Sequence, residues 1–166
     1  MQIQFIRHAI HLITYKGVTF LLDPMLSEQG TLAPVPNTLN QHLNNPLSPL
    51  PVDLEKLMDI DAIIVTHSHR DHFDDQAIAS LPKNLPLFCQ PADELLMKEK
   101  GFKQVISIQK NLLWKEIELI RTEGRHGHGQ LAEMMVPVSG FILRAKDEPT
   151  LYIIGDMCGI QKSNII

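Results

Sequence analysis

Apolar positions in this chain come mostly in short, strand-like runs. "IQFIRHAIHLITY" and "VTFLLDPML" are two of them, separated by Lys16-Gly17, which reads as a hairpin turn. "IDAIIVTH" is apolar on both faces, as suits a strand covered on both sides. "LPLFCQ", "QVISIQ", "EIELIRTE", "SGFILRA" and "TLYIIGD" predict further strands. Helical patterning is confined to three places. "VDLEKLMD" predicts a short helix, and "DDQAIASLP" a helix that opens on acids and stops before Pro82. "PADELLMKEKGF" has proline at its start, Asp93 and Glu94 in its first turn, Lys98 and Lys100 in its last, and Gly101 as its stop. Many strands with helices interspersed predict an α/β or α+β fold. At 166 residues the chain is one domain or part of one, long enough to bury a sizeable core.

Two stretches lack this pattern. Residues 33–52 contain Pro34, Pro36, Pro46, Pro49 and Pro51, a density that neither helix nor strand survives. A long patternless segment in a compact domain is usually functional, so it is expected to form a flap over, or a wall of, a substrate cleft. The second stretch is the loop "GRHGHGQLAEMMVPV" between two predicted strands.

Composition narrows the classes of function. Apolar content of 44% and charged content of 20% are those of an ordinary globular protein. Fifteen basic against nineteen acidic side chains leave a net charge of -4, with no basic stripe to neutralise phosphates, so nucleic acid is not expected as a partner. No apolar run reaches the length of a membrane span, and "MQIQFIRHAI" has polar residues where a signal peptide would be apolar. A cytoplasmic protein is expected. Cys89 and Cys158 lie far apart and form no C-x-x-C pair, which fits reduced thiols, with Cys89 packed in a strand.

The chemistry concentrates in "IIVTHSHRDHFD", residues 63–74, which holds three of the eight histidines. His67 and His69 are two apart, so in an extended segment their rings fall on the same side and can grip one metal ion. Asp71 and His72 follow where the chain must turn toward a helix, placed to begin a second site a few ångströms away. Imidazole with carboxylate suits zinc, with manganese or iron as alternatives. The end of a strand is also where open α/β folds put their chemistry.

"THSHRDHFD" resembles the T-H-x-H-x-D-H signature of the metallo-β-lactamase superfamily, and the similarity runs from about Ile3 to Asp156. "IRHAIHLITYKGVTFLLDPML" is similar to the family's opening strands, "GRHGHG" to its later histidine motif, and "VSGFILRAKDEPTLYIIGD" to the strand pair ending in Gly-Asp. The branch most similar contains ascorbate-6-phosphate lactonase and related metal-dependent hydrolases. The resemblance implies a metallo-β-lactamase-like αββα four-layer sandwich with two metal ions between its sheets. His67, His69 and a later histidine would hold one ion, Asp71 and His72 the other, and Asp156 would bridge both. The framing "GRHG" favours His126 as the later histidine, with His128 as its competitor. Asp71 would also serve catalysis by orienting the nucleophile or taking its proton. The substrate would be a small-molecule ester, lactone, amide or phosphoester attacked by a metal-activated water.

Family members run on past Gly-Asp for tens of residues that include a final histidine ligand. Here only "MCGIQKSNII" follows Asp156, and Met157 stands where the family often has threonine. The resemblance therefore implies a sandwich incomplete after about residue 156 and a second metal site short of one ligand. An inactive, metal-binding remnant is the alternative reading. The apolar strand "TLYIIGD" would then be left partly uncovered, so a homodimer is expected. Among other residues, Asp23 is read either as support for a metal-bound histidine or as a turn former. His8 is read as structural or near the site, His42 as solvated, and Trp114 as core or interface. Met134 and Met135 are read as pocket wall or gap-filling.

Overall fold

The computed structural model describes residues 1–34, 39–124 and 137–157. A six-stranded sheet runs in the order β1 (Gln2–Arg7), β2 (Ile10–Tyr15), β3 (Val18–Leu22), β4 (Ala62–Val65), β5 (Pro86–Cys89) and β6 (Gln104–Ser107). The first three strands are antiparallel neighbours, and β3 to β6 pair in parallel. A second, antiparallel sheet has the order β10 (Leu151–Ile153), β9 (Val138–Arg144), β8 (Ile117–Gly124) and β7 (Asn111–Trp114).

Alternation along β4 builds two cores. Ile63 and Val65 face one side, where they meet Leu21, Leu87, Met97 and Phe102. Ala62 and Ile64 face the other, where they meet Phe20, Phe88, Leu119, Phe141 and Ile153. The first core lies under α1 (Asp75–Ser80) and α2 (Glu94–Glu99), and the second lies between the sheets. Tyr15 is fully buried in the second, where its hydroxyl donates to Leu143 O at 3.1 Å and Pro149 O at 2.9 Å. That stitches the two sheets while satisfying the one polar atom of a large buried ring. Trp114 belongs to this core as well, edge-on to Phe88 with ring centroids 5.1 Å apart. The architecture is metallo-β-lactamase-like α/β. Three of the four αββα layers are present among the described residues. None of their helices covers the outer face of the second sheet, where Leu113 is 75% exposed.

Several elements differ from the predicted ones. The run "IQFIRHAIHLITY" is two strands, because the chain reverses at His8 (φ 56°) and the pairing shifts between Phe5 and Arg7. "VDLEKLMD" yields only a 3-10 turn, Leu54–Leu57. β7 had no signal of its own. It is four residues long, and its turn into β8 uses Lys115 (φ 46°) and Glu116 (φ 63°) where glycine or asparagine would announce a hairpin.

Of the proline-rich segment, residues 33–34 and 39–52 are described. Arg7 is 3% exposed and ties the segment's C-terminal part to the stretch after β3: Nη1 donates to Ser48 O at 3.0 Å, and Nη2 to Met25 O at 2.7 Å and Ser27 O at 2.9 Å. Leu32, Leu50 and Val52 pack on the helical-side core. Pro49, Leu50 and Val52 line a ≈ 730 Å³ cavity with Arg7, whereas the cleft beside the histidines is walled by other residues. Apolar anchors and one buried guanidinium thus hold the described C-terminal end of the segment against the helical-side core.

Candidate metal centre

β4 delivers Thr66 and His67 from the middle of the six-stranded sheet, fully buried. Beyond it the chain tightens: His72 N donates to His69 O at 2.9 Å and Phe73 N to the same oxygen at 2.8 Å. This turn folds the His72 ring back onto His67, with centroids 4.2 Å apart. His69 lies on the other side, its Nδ1 3.0 Å from His67 Nε2. Asp74 ends the turn and starts α1, accepting from Ala77 N at 2.8 Å as the helix N-cap and from Ser27 N at 2.7 Å.

Asp156 arrives from the other sheet. Gly155 precedes it with φ 64°, and a Cβ there would sit 3.0 Å from Ser139 O and 3.3 Å from Thr66 Cβ. Only glycine lets the end of β10 come this close to the end of β4. Asp156 Oδ1 lies 3.2 Å from His72 Nε2, and Oδ2 lies 3.9 Å from His67 Nε2. Ligand atoms of His67, His72 and Asp156 all lie within 4.8 Å of one another, close enough to share a metal ion.

Two buried carboxylates brace the motif. Asp23, 2% exposed and in a left-handed conformation (φ 43°), accepts from Thr66 N at 2.7 Å and Thr66 Oγ1 at 2.8 Å, and meets His72 Nδ1 at 2.9 Å. It both turns the chain and supports a histidine, so the two readings of Asp23 coexist. Fixing one ring nitrogen leaves Nε2 as the atom His72 offers to the cluster. Asp93, 3% exposed, takes hydrogen bonds from Ser68 and Gln90.

The electrostatics suit a cation. Burial, aided by the nearby His72 and His69, pushes the His67 imidazole down to about 3, so it stays neutral, the form that ligates metal. His72 goes the other way. Burial opposes its charge, but hydrogen bonds and charge from Asp156 and Asp23 outweigh that and hold it up to about 10. In the metal-free protein a proton on His72 thus supplies the positive charge that the paired carboxylates demand. A histidine-carboxylate donor set with this need fits zinc, manganese or iron.

The other predicted site residues are placed as follows. Asp71 stays at the margin of the cluster, half-exposed, with Oδ2 3.8 Å from His8 Nε2, and hydrogen bonding by His8 holds its carboxyl below the usual range. His8 therefore adjoins the site. His126 and His128, with Met134 and Met135, lie outside the described residues. Sequence reasoning missed Asp93 and Gln90, because an acid in the first turn of a helix is ordinary and carries no sign of burial. Beside the cluster, a cleft of ≈ 340 Å³ opens between the sheets, bordered by His72 and Asp156 and walled by Ile13, Leu22, Tyr152 and Ile153. Among the described residues no helix is long and apolar enough to cross a membrane.

Comparison with known proteins identifies the family and the fold. The family profile described as "Beta-lactamase superfamily domain" matches residues 19–165. The UPF0173 protein YddR of Bacillus subtilis is 43% identical over 159 residues, covering 94% of this chain and 63% of its own. A UPF0173 metal-dependent hydrolase of Methanobrevibacter smithii is 24% identical, covering 94% and 60%. Among solved structures, one titled a possible metal-dependent hydrolase from Veillonella parvula superposes with a TM-score of 0.92 at 38% identity, covering 96% of this chain and 64% of that one. An isothiocyanate hydrolase from Delia radicum gut bacteria gives 0.90 at 32% identity, with the same coverage. The chain thus spans between 60% and 64% of the length of these relatives. With most of its length matched by the profile and its fold shared with these proteins, the chain belongs to the β-lactamase superfamily.

Proposed function

We propose that the protein is a metal-dependent hydrolase whose ligands come from the ends of β4 and β10. The observation that carries this is the convergence of His67, His72 and Asp156 within 4.8 Å from two different sheets. His67 and His69, with His126 from the loop before β9, would hold one ion; Asp71 and His72 would hold a second; Asp156 would touch both. Zinc is the metal proposed, with manganese or iron as alternatives. When bound, such ions supply Lewis acidity toward an ester, lactone, amide or phosphoester and lower the pKa of water toward neutrality.

The chain's own residues do the rest. Asp23 fixes the His72 ring through Nδ1. Thr66 Oγ1 lies 3.1 Å from His67 Nδ1 and so directs Nε2 of that ring toward the cluster. Asp71, kept ionised by His8, is assigned the nucleophile's proton at its carboxylate. The largely apolar cleft beside Asp156 is assigned to the non-reacting part of a small-molecule substrate.

The test is a metal count on cytoplasmically expressed protein purified without chelator, followed by turnover of lactones, phosphodiesters and an isothiocyanate. The last is included because one structural neighbour is titled an isothiocyanate hydrolase. The reading predicts two equivalents of metal and turnover above that of free metal. One equivalent without turnover would instead favour an inactive metal-binding protein. Metal-free protein would overturn both. We also propose a homodimer, since Ile3, Phe5 and Ile154 are 45%, 63% and 46% exposed on β1 and at the end of β10. Sedimentation at micromolar concentration checks it, and a stable monomer would sink it.

A further inference from the structure

Asp93 is not among the metal ligands proposed above, yet it is 3% exposed, at the 3-10 turn that leads β5 into α2. A carboxylate removed from water in this way is unfavourable unless donors replace the water. The donors here come from Gln90, whose Nε2 lies 2.8 Å from Asp93 Oδ2, and from both the backbone and the hydroxyl of Ser68. Ser68 is the residue between His67 and His69.

The chain of contacts continues past Gln90, which is itself 1% exposed. Its Nε2 also donates to Pro137 O at 2.6 Å, and its Oε1 accepts from Ser139 Oγ at 2.9 Å. Arg121 Nη1 reaches the same hydroxyl at 3.3 Å. Pro137 and Ser139 stand where the chain enters β9, immediately after the β8–β9 connection that carries His126 and His128. One buried amide and one buried carboxylate therefore join the His67–His69 segment to the start of β9.

We infer that Asp93 and Gln90 form a positioning unit that fixes the His67–His69 segment relative to the start of β9, and so sets the geometry of the metal centre from outside it. This rests on the proposed metal-binding reading. A packing role alone would not require the amide and the carboxylate to spend their hydrogen bonds on these two loops. Supporting groups of this kind typically govern metal affinity by about tenfold to a hundredfold.

Cobalt(II) is the probe, because its visible spectrum reports ligand number and geometry, and its affinity can be read by competition with a chelator. Asp93→Asn, which keeps the shape but opposes an amide to the Ser68 and Gln90 donors, should weaken cobalt binding by about tenfold to a hundredfold and alter the spectrum. Gln90→Leu, which cuts the link in its middle, and Ser139→Ala, which cuts it at its far end, should weaken it less, with thermal midpoints of the metal-free proteins recorded alongside. Wild-type affinity and an unchanged spectrum in Asp93→Asn would overturn the inference, whatever happens to the midpoint. Should Asp93→Asn fail to fold, Ser139→Ala decides: weaker cobalt binding supports the inference, and unchanged binding overturns it. Wild-type protein that takes up no cobalt would overturn the functional reading and this inference together, whereas a binding wild type with unaffected variants overturns the inference alone.

Discussion

Residues 66–72, at the end of β4, and residues 155–156, at the end of β10, supply the two sides of one cluster, yet they are held very differently. Thr66 and His67 are fully buried, sit at the end of a central strand paired on both sides, and are braced by Asp23 and Asp93. Asp156 follows a three-residue strand that, among the described residues, is paired on one side only, and its side chain is 36% exposed. Donors from the first side are placed by packing that would persist without any ligand. The donor from the second side is placed by a glycine contact and by attraction to what it faces. A bound cation would therefore reorganise the β10 side more than the β4 side.

Metal content offers the hardest test of that difference. His67→Ala combined with His69→Ala should abolish stoichiometric metal, whereas Asp156→Ala should retain metal at lowered affinity. A double variant that still carries a full equivalent would break the comparison, because the β4 side would then not be the anchor.

Folding stability without metal comes next. Asp23 accepts two hydrogen bonds from Thr66 and faces His72, all buried, so Asp23→Ala strands several groups at once and should cost about 3 to 5 kcal/mol. Asp156→Ala, at a screened and half-exposed site, should cost no more than about 1 kcal/mol. Urea denaturation of the two metal-free variants measures both. Equal losses would mean that Asp156 is as much a structural element as Asp23.

The same contrast explains how much could be read from sequence. The H-x-H-x-D-H segment stood out because imidazoles and carboxylates seldom crowd at such short spacing, and because β4 announces itself as an unbroken apolar run. Asp23 was half-legible: Asp-Pro after a strand is a turn signal, but its partner His72 is 49 residues away. Asp93 was illegible, since its partner Ser68 lies 25 residues back and burial leaves no mark on a helix-start acid. The split between β1 and β2 was missed because the reversal uses His8 with positive φ, where sequence rules look for glycine. Helix existence was read well at α1, where Asp74 caps the first turn. It was read poorly at residues 54–57, where the apolar periodicity serves only a single 3-10 turn.

Within β10 the comparison can be sharpened to neighbouring residues. Ile153 is 8% exposed in the core between the sheets, and Ile154 is 46% exposed beside it. Ile153→Ala should cost about 2 kcal/mol or somewhat more, through lost burial and the cavity left behind. Ile154→Ala should stay within about 0.5 kcal/mol. A large loss at Ile154 in a concentration-dependent unfolding curve would instead reveal that this side chain is covered in an assembled state.

The smallest expected effect probes how closed the β4 side is. Cys89, on the neighbouring strand β5, is fully buried against the helical layer. Burial, with the negative charges of Asp93 and Glu94 nearby, pushes its thiol up to about 12 from an ordinary value of 9.0. The neutral thiol is thus favoured in the folded state, while the unfolded chain releases its proton near the ordinary value. Below pH 9 both states are protonated and Cys89 costs nothing. Between pH 9 and pH 12 the unfolded state binds fewer protons, so stability falls as pH rises. By pH 10 the loss from this group should be about 1 kcal/mol. Tyrosines and lysines titrate in the same range, so the quantity to measure is the difference in pH slope between the wild type and Cys89→Ala, by urea denaturation from pH 8 to pH 10. A Cys158→Ser background allows a second readout, because Cys89 should then resist a thiol reagent at pH 8 until urea unfolds the chain. Rapid labelling of the folded protein, or identical slopes with and without Cys89, would show that the parallel half of the large sheet opens as readily as the β10 edge.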